Sequence, residues 1–349
     1  MQRRAKILIG IAAAAAAATL AWLWFAPYRG FRQPQIVNLR AGTGTRAIAQ
    51  QLRRAGVIRS STAFLLWDLL HRKQTLKAGA YRFRHAHSLT EVFARLAAGR
   101  VFYYSFTVPE GYNRFEIAQA LENDGLASRE SFLRASADGG LARKLDPQAQ
   151  SLEGYLYPAT YHFAPGESAE EIAAAMVKRF KQEMQRQQWT GIPARAAAPG
   201  GTGAAPADPA APADIHSWVT MASLIVKETQ SAGERRLVAG VFYNRLRQGL
   251  PLQCDPTVIY AAQLAGEYQG AITRQDLKLD SPYNTYLRAG LPPGPIANPG
   301  QAALAAAAQP AKTDYLYFVS NGHGGHRFAR TLAGQDRNIR LYLKKKPHR

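Results

Sequence analysis

Three textures of apolar and polar positions follow one another along this chain. From Ile7 to Ala26 nearly every residue is apolar, a run that as a helix would measure about 30 Å, the thickness of a bilayer's hydrocarbon layer. Arg3, Arg4 and Lys6 precede it, and Pro27 and Arg29 follow. Positive charge ahead of a span favours keeping residues 1–6 in the cytoplasm and sending the rest outward. Trp22 and Trp24 fall near the outer end, where indoles are stable at the interface. The competing reading is a cleavable signal peptide, for which the alanines offer several A-x-A sites; the bulky Trp-Leu-Trp-Phe run directly behind them disfavours cleavage. The expectation is one transmembrane helix over residues 7–26.

Between residues 36 and 180 apolar and polar positions mix, and the pattern repeats. VNLRAGTGTRAIAQQLRRAGVI from Val37 aligns with FTVPEGYNRFEIAQALENDGLA from Phe106 at an offset of 69. Gly42 meets Gly111, Ile48-Ala49-Gln50 meets Ile117-Ala118-Gln119, and Leu52 and Gly56 meet Leu121 and Gly125. The later halves match more loosely, KAGAYRF with Ser88 behind it against EGYLYPATYHF with Ser168 behind it. Each copy predicts a strand, a glycine turn, a short amphipathic helix, a second helical piece, then a strand and another helix. Such units can stack and scaffold without any chemistry. A helix ending near Gln188 precedes residues 194–214, which hold only small residues, proline, a little acid and one arginine. That composition buries too little area to offset chain entropy and predicts a disordered insertion.

From Ile215 the texture changes again. Trp218, Met221, Ile225 and Glu228 recur at spacings of three and four and share one face of a helix over about His216–Thr229. Ser-Ala-Gly-Glu at 231–234 has the form of a capping box and predicts a second helix through Leu246. Glycine- and proline-rich connections occupy 252–260 and 281–300, and an alanine-rich helix is expected at about 301–308. DYLYFVSN then reads as a buried strand with a GHGGH turn behind it, and KKKPHR at 344–349 as a solvated basic tail. The fold class expected is α+β.

Charge narrows the partners. Among 349 residues, 44 Lys and Arg stand against 24 Asp and Glu, a net +20, which implies a polyanion or an anionic surface. Nucleic acid is set aside because no zinc-finger spacing, RNP-like aromatic motif or long basic helix is present. The lone Cys254 excludes an intrachain disulfide framework and a cysteine-based zinc cluster.

Glu228 is the sharpest chemical candidate. A carboxylate on an apolar face is desolvated, so its pKa rises toward the working pH, where it can donate a proton to a leaving oxygen and later take one back. A helix-end glutamate turned to water, or paired with Lys227 or Arg235, is the plainer alternative. Asp255 reads as a helix N-cap with Pro256 at the first helical position. Glu153, ahead of Gly154 and several aromatics, suits a sugar-facing surface or a core edge equally. Two carboxylates flanking a glycosidic bond would cleave it, with Tyr260, Tyr283, Tyr286 and Asn284 supplying stacking and amide hydrogen bonds. His323 and His326 straddle two glycines, which is too little for a metal site; bonding within the turn or to an anionic substrate group is the better reading. No metal or cofactor is expected.

MASLIVKET, the LQCDPTVIY box, SPYNTYLRAGLPPGPIANPG and DYLYFVSNGHGGHRF together resemble the endolytic murein transglycosylases, the YceG-like family, over about Val37 to Leu343. The resemblance implies a bacterial inner-membrane anchor and a periplasmic enzyme that cuts nascent peptidoglycan glycan strands internally. It implies a LysM-like subdomain at about 37–100 and a catalytic domain over 101–343. The family's acid/base glutamate falls on Glu228, and its L-E-G-Y element on Leu152–Tyr155, which would set Glu153 and Tyr155 along the cleft. Gln253, Asp255, Tyr283, Asn284, Tyr286 and His326 complete the substrate-facing set. The implied reaction uses no water: Glu228 protonates the oxygen between N-acetylmuramic acid and N-acetylglucosamine, then accepts the proton of the muramoyl C6 hydroxyl, which closes a 1,6-anhydro ring. Family analogy extends the partners to penicillin-binding synthases and division or elongation proteins. Val226, Ala159 and Cys254 depart from residues common in relatives (Glu, Asp and Thr). A hydrolase using Asp255 or Glu153 to activate water, and a wall-binding scaffold without activity, are the other readings.

Overall fold

The computed structural model describes residues 2–71, 73–187, 189, 212 and 214–343. The expected basic tail at 344–349 and nearly all of the expected insertion at 194–214 lie outside the described residues. The chain divides into two compact units, residues 1–105 with 162–166, and residues 106–161 with 167–349.

In the first unit, helix α1 (Gln2–Phe25) is the expected apolar span, extended at its start over residues expected to form a tail. It is long and apolar enough to cross a membrane and is almost wholly exposed, except where Leu20, Leu23 and Trp24 pack on the unit's core. Strands β1 (Gln35–Leu39) and β2 (Gly79–Phe83) pair antiparallel, Gln35 opposite Phe83 and Leu39 opposite Gly79. Period-two alternation turns Val37 and Leu39 inward. Helices α2 (Thr45–Arg54), α3 (Ser61–Leu70) and α4 (Leu89–Ala98) close the core over Tyr81 and Phe83. A capping box of Ser88 and Glu91 starts α4, and Gly99 at φ +68° ends it.

The same order recurs from β3 (Tyr104–Thr107) through α5 (Arg114–Asn123), α6 (Arg129–Ala137), β4 (Thr160–Phe163) and α7 (Ala169–Arg186). β3 and β4 again pair with each other. Aligned residues take equivalent roles: Ala49 and Leu52 in α2, like Ala118 and Leu121 in α5, are fully buried. Ser168 with Glu171 repeats the capping box of Ser88 with Glu91. The sequence repeat is therefore a repeat of β-α-α-β-α order.

The second unit adds α8 (Ile215–Glu228), α9 (Arg235–Arg247), α10 (Asp255–Ala265), α11 (Gln301–Ala308), the antiparallel strands β5 (Tyr317–Ser320) and β6 (His326–Ala329), and α12 (Leu332–Leu343). α8 is the core helix. Trp218 through Val226 are all buried, a helix covered on every side. The alanines of α11 let it approach closely, and its carbonyls at Leu304 and Ala307 accept from Trp218 Nε1 at 2.9 Å and the Tyr243 hydroxyl at 2.7 Å.

Three local expectations are corrected. Ser231 caps nothing; α9 starts at Arg235, and the Glu234 side chain makes no cap bond because His326 claims it. Asp255 is the first residue of α10, with Cys254 in the N-cap position, and its carboxylate accepts from the Tyr286 hydroxyl. β5 is only half-buried, because one side of its two-stranded sheet opens on a cleft.

Gly154 fixes the approach of the Leu152–Tyr155 turn to α8. Its φ is +88°, and a Cβ there would lie 2.5 Å from Pro295 and 2.8 Å from Val219. Gly154→Ala is expected to lower stability by about 2 kcal/mol or more, read as a fall in the urea midpoint.

Candidate active site

α8 delivers Glu228 at its last residue, where the buried helix meets two clefts. The first, of about 490 Å³, is lined by Glu228, Val241 and Arg245 of α9, Leu252, Gln253, Asp255, Tyr286, strand β5, His326 and the start of α12. The second, of about 580 Å³, is lined by residues 110–112, Glu116, Val226–Gln230 and Arg235. Both have ordinary ligand-site dimensions. Glu228 borders both.

The electrostatics follow from that position. Burial raises the Glu228 pKa from 4.5 to about 7; a hydrogen bond with the Cys254 thiol opposes the rise, the charge of Asp255 adds to it, and His326 opposes it. The α8 C-terminus, with its partial negative charge, also disfavours an anion there. A thiol is a weak donor, so the bond from Cys254 stabilises the carboxylate only modestly. The cysteine itself is 1% exposed, and its own pKa is pushed up by burial and by Glu228.

Stronger partners nearby are committed elsewhere. The Asp255 carboxylate is held by Tyr286, whose hydroxyl pKa rises through burial and that bond. His326 Nδ1 lies 2.7 Å from Glu234 Oε2, and its backbone N–H donates to Oε1 at 2.9 Å. Desolvation pushes Glu234 up, but these bonds to His326 outweigh it and hold its pKa low. Arg245 donates to the carbonyls of Pro251 and Leu316 and, at 2.6 Å, to Gln253 Oε1.

Gln253 sits at φ +52°, alone among described non-glycine residues in the left-handed region, a conformation costing on the order of 1–2 kcal/mol. The neighbouring backbone over-determines it: Gln253 N–H donates to the Thr285 carbonyl and Cys254 N–H to Thr285 Oγ1, both near 3 Å. This strained turn places Cys254 against Glu228 and Gln253 in the cleft.

The structure brings together Glu228, Gln253, Asp255, Tyr286 and His326. It does not bring in the other four candidates. Glu153 is 2% exposed, because the apolar turn around it runs through the interior. There it accepts from Arg114 N–H at 3.0 Å and Asn298 Nδ2 at 2.9 Å. Desolvation raises its pKa to about 7, while bonds from Arg114 and Tyr260 restrain the rise. Tyr155 is fully buried with its hydroxyl on Asp146. Asn284 is consumed by its own loop, donating to the carbonyls of Leu277 and Leu279. Tyr283 packs on Tyr260 with ring centroids 5.1 Å apart. Glu153, Tyr155 and Tyr283 border a crevice of about 10 Å³, too small for a sugar.

Sequence reasoning missed several members. Arg245, Tyr317, Phe318 and Gln335 line the first cleft, and Gln335 Oε1 is buried without a hydrogen-bond partner. It also missed a buried pair behind α8. His216 Nδ1 lies 2.6 Å from Asp146 Oδ2, and Nε2 lies 2.8 Å from the Pro293 carbonyl. Two acceptors facing both ring nitrogens fit an imidazolium. The bond to Asp146 raises the His216 pKa against the effect of burial, and Asp146 falls despite its own desolvation because His216 and Tyr155 donate to it. Among the described residues no group of three His, Cys, Asp or Glu side chains could hold a metal.

Because the folded-state pKa of Glu228 lies above its ordinary value, its stability contribution is complete below pH 4.5 and is lost as pH rises through about 7. Glu228→Gln removes that loss. It is expected to match the parent near pH 4.5 and to exceed it by on the order of 2 kcal/mol at about pH 8, with allowance for the side chain's partial exposure. Urea unfolding at the two pH values checks this.

Sequence comparison matches residues 37–341 to the YceG-like family. The endolytic murein transglycosylase of Bacillus subtilis strain 168 is 33% identical over 333 residues, covering 89% of this chain and 85% of that protein. The protein of that name from Streptococcus pneumoniae serotype 2 is 28% identical over 343 residues, and this chain spans 58% of its length. The crystal structure of a yceG-like protein from Listeria monocytogenes aligns with a TM-score of 0.56 and 30% identity, covering 87% of this chain and 98% of that one.

Proposed function

This chain belongs to the YceG-like family of endolytic murein transglycosylases, and we propose on that premise that it cuts peptidoglycan glycan strands internally, without water, with Glu228 as the sole acid/base. The observation that carries the reading is a carboxyl group with a pKa of about 7 at the meeting of two clefts. A group poised there is protonated often enough to act as an acid and ionised often enough to act as a base. Cleft on both sides of it suits a polymer that continues in both directions from the broken bond.

The proposed steps are those that the family resemblance implies, with Glu228 in the acid/base role. Glu228 donates its proton to the oxygen joining N-acetylmuramic acid to the next N-acetylglucosamine. The C1–O bond breaks and positive charge develops on the muramoyl ring, beside the new carboxylate. Glu228 then takes the proton from the C6 hydroxyl of the same ring, and that oxygen closes on C1. The nucleophile is already part of the substrate, so its orientation entropy is prepaid and a second catalytic carboxylate is unnecessary. Tyr286, Tyr317 and Phe318 offer faces for sugar rings, and Gln253, Gln335, Arg245 and His326 offer polar edges. Asp255 lies in the same cleft and raises the Glu228 pKa, but its bond to Tyr286 disfavours service as a water-activating base.

In this reading α1 anchors the protein in a bacterial inner membrane with its basic N-terminus in the cytoplasm and both folded units outside. Residues 37–100 act as a LysM-like glycan-holding unit. Penicillin-binding synthases and division or elongation proteins are the expected partners, and a pull-down of the membrane-bound protein that recovers none of them would count against that part.

Glu228→Gln is expected to lower strand cleavage by at least about 10²-fold while the protein stays folded. Mass spectrometry of products from purified glycan distinguishes the chemistry: anhydro ends support transglycosylation, whereas reducing ends would show hydrolysis. Cys254→Ser supplies a stronger hydrogen bond to the ionised carboxylate and so lowers the Glu228 pKa. The alkaline limb of the pH–rate profile, expected near pH 7 in the parent, should move to lower pH, and an unmoved limb would detach Cys254 from the acid/base.

A further inference from the structure

Helix α3 has two apolar faces, and the fold covers only one. Ala63 and Phe64 are buried in the first unit's core, with Trp67 packed at its margin. On the opposite side, Leu66, Leu69 and Leu70 are 41%, 48% and 67% exposed. With Thr62 they follow the spacing of one helical stripe. Asp68 projects well away from it.

What lies beside that stripe is the apolar anchor. Trp24 of α1 donates its indole N–H to the Ala63 carbonyl at 2.9 Å, and the Trp24 and Phe25 rings meet Trp67 edge-on at 5.0 and 5.8 Å. Packing continues down α1 to Leu20. Five residues of helix measure about 7.5 Å, so the fold reaches past the end of the apolar run into the level the run occupies. Arg59 marks the same border. Its guanidinium lies 4.1 Å over the Trp22 ring and 4.9 Å over Tyr28, and it donates to the carbonyls of Ala26 and Pro27. Trp22 and Phe25 are themselves 54% and 59% exposed, continuing the apolar surface of α3 onto α1. The surrounding chain is strongly basic: residues 27–105 hold 14 Lys and Arg against two Asp and Glu, a net +12 of the total +20.

We propose that α3 is a membrane-contacting helix, its Leu66–Leu69–Leu70 stripe immersed at the boundary between headgroups and acyl chains of an anionic bilayer, beside the end of α1. Apolar side chains inserted at that depth, backed by basic residues, are how amphipathic helices hold to anionic surfaces. The inference rests on membrane insertion of α1 and is independent of the glycan-cleaving reading. The first unit is thus seated on the lipid by two elements.

The test uses the full-length protein in vesicles of phosphatidylethanolamine and phosphatidylglycerol, with an environment-sensitive fluorophore on single cysteines. Leu66→Cys, Leu69→Cys and Leu70→Cys probe the stripe, Ala14→Cys the anchor, and Leu287→Cys, at a position 52% exposed in the second unit, the water; native Cys254 is buried and unreactive. Expected are a blue shift and strong quenching of the stripe probes by lipids carrying a nitroxide near the headgroup, several-fold beyond the Leu287→Cys probe, with little quenching by aqueous iodide. Stripe probes open to iodide and unaffected by nitroxide lipid, while Ala14→Cys is shielded from iodide, would overturn the proposal and leave the anchor intact. Protection from iodide without lipid quenching would mean that protein covers the stripe, and overturns it too. An Ala14→Cys probe open to aqueous iodide would overturn both the proposal and the anchor.

Discussion

A carboxyl group kept half dry at the end of a helix that cannot move is the constraint on which the rest of the structure depends. α8 is buried from Trp218 to Val226, so it cannot shift to give Glu228 more water. The helix terminus offers that side chain carbonyls, and carbonyls repel an anion. Every group nearby that could stabilise the charge strongly has another obligation: Arg245 to Gln253 and two carbonyls, His326 to Glu234. What remains is a thiol. The pKa of about 7 is therefore the product of withheld partners as much as of lost solvent.

The polar residues of the 281–299 segment and of the Leu152–Tyr155 turn serve that arrangement from behind. Asn298 donates to Tyr112 and Glu153 and accepts from Leu156, joining three stretches of chain. His216, held between Asp146 and Pro293, ties the first turn of α8 to the same segment. Thr285 and Thr257 share a hydrogen bond of 2.9 Å beneath the strained turn that carries Cys254. Removing one member of such a buried network strands its partners without water. The network therefore accounts for polar side chains whose hydrogen bonds are spent inside the fold.

Much of this was legible in the sequence where local periodicity decides structure. The apolar span, the repeat at an offset of 69, the alanine-rich helix and the placement of Glu228 on the buried stripe of α8 all follow from patterns a few residues long. Burial of polar side chains was not legible, because nothing local distinguishes an Asn that meets substrate from one that folds its own loop. Asn284 and Glu153 are buried polar residues of this kind, and no local pattern reveals it. Glu234 was misjudged as a cap because its partner, His326, lies 92 residues away. Arg245 and Gln335 carried no signal: each is one polar position on a helix, and only the tertiary packing turns it toward the cleft.

The joint between Trp24 and Trp67 has a mechanical consequence. No slack chain separates the apolar helix from the first folded unit; one side of the helix's last turns packs on that unit's core. A body mounted in this way has no leash on which to swing away from its anchor. In a membrane, that first unit would ride at a fixed height above the lipid.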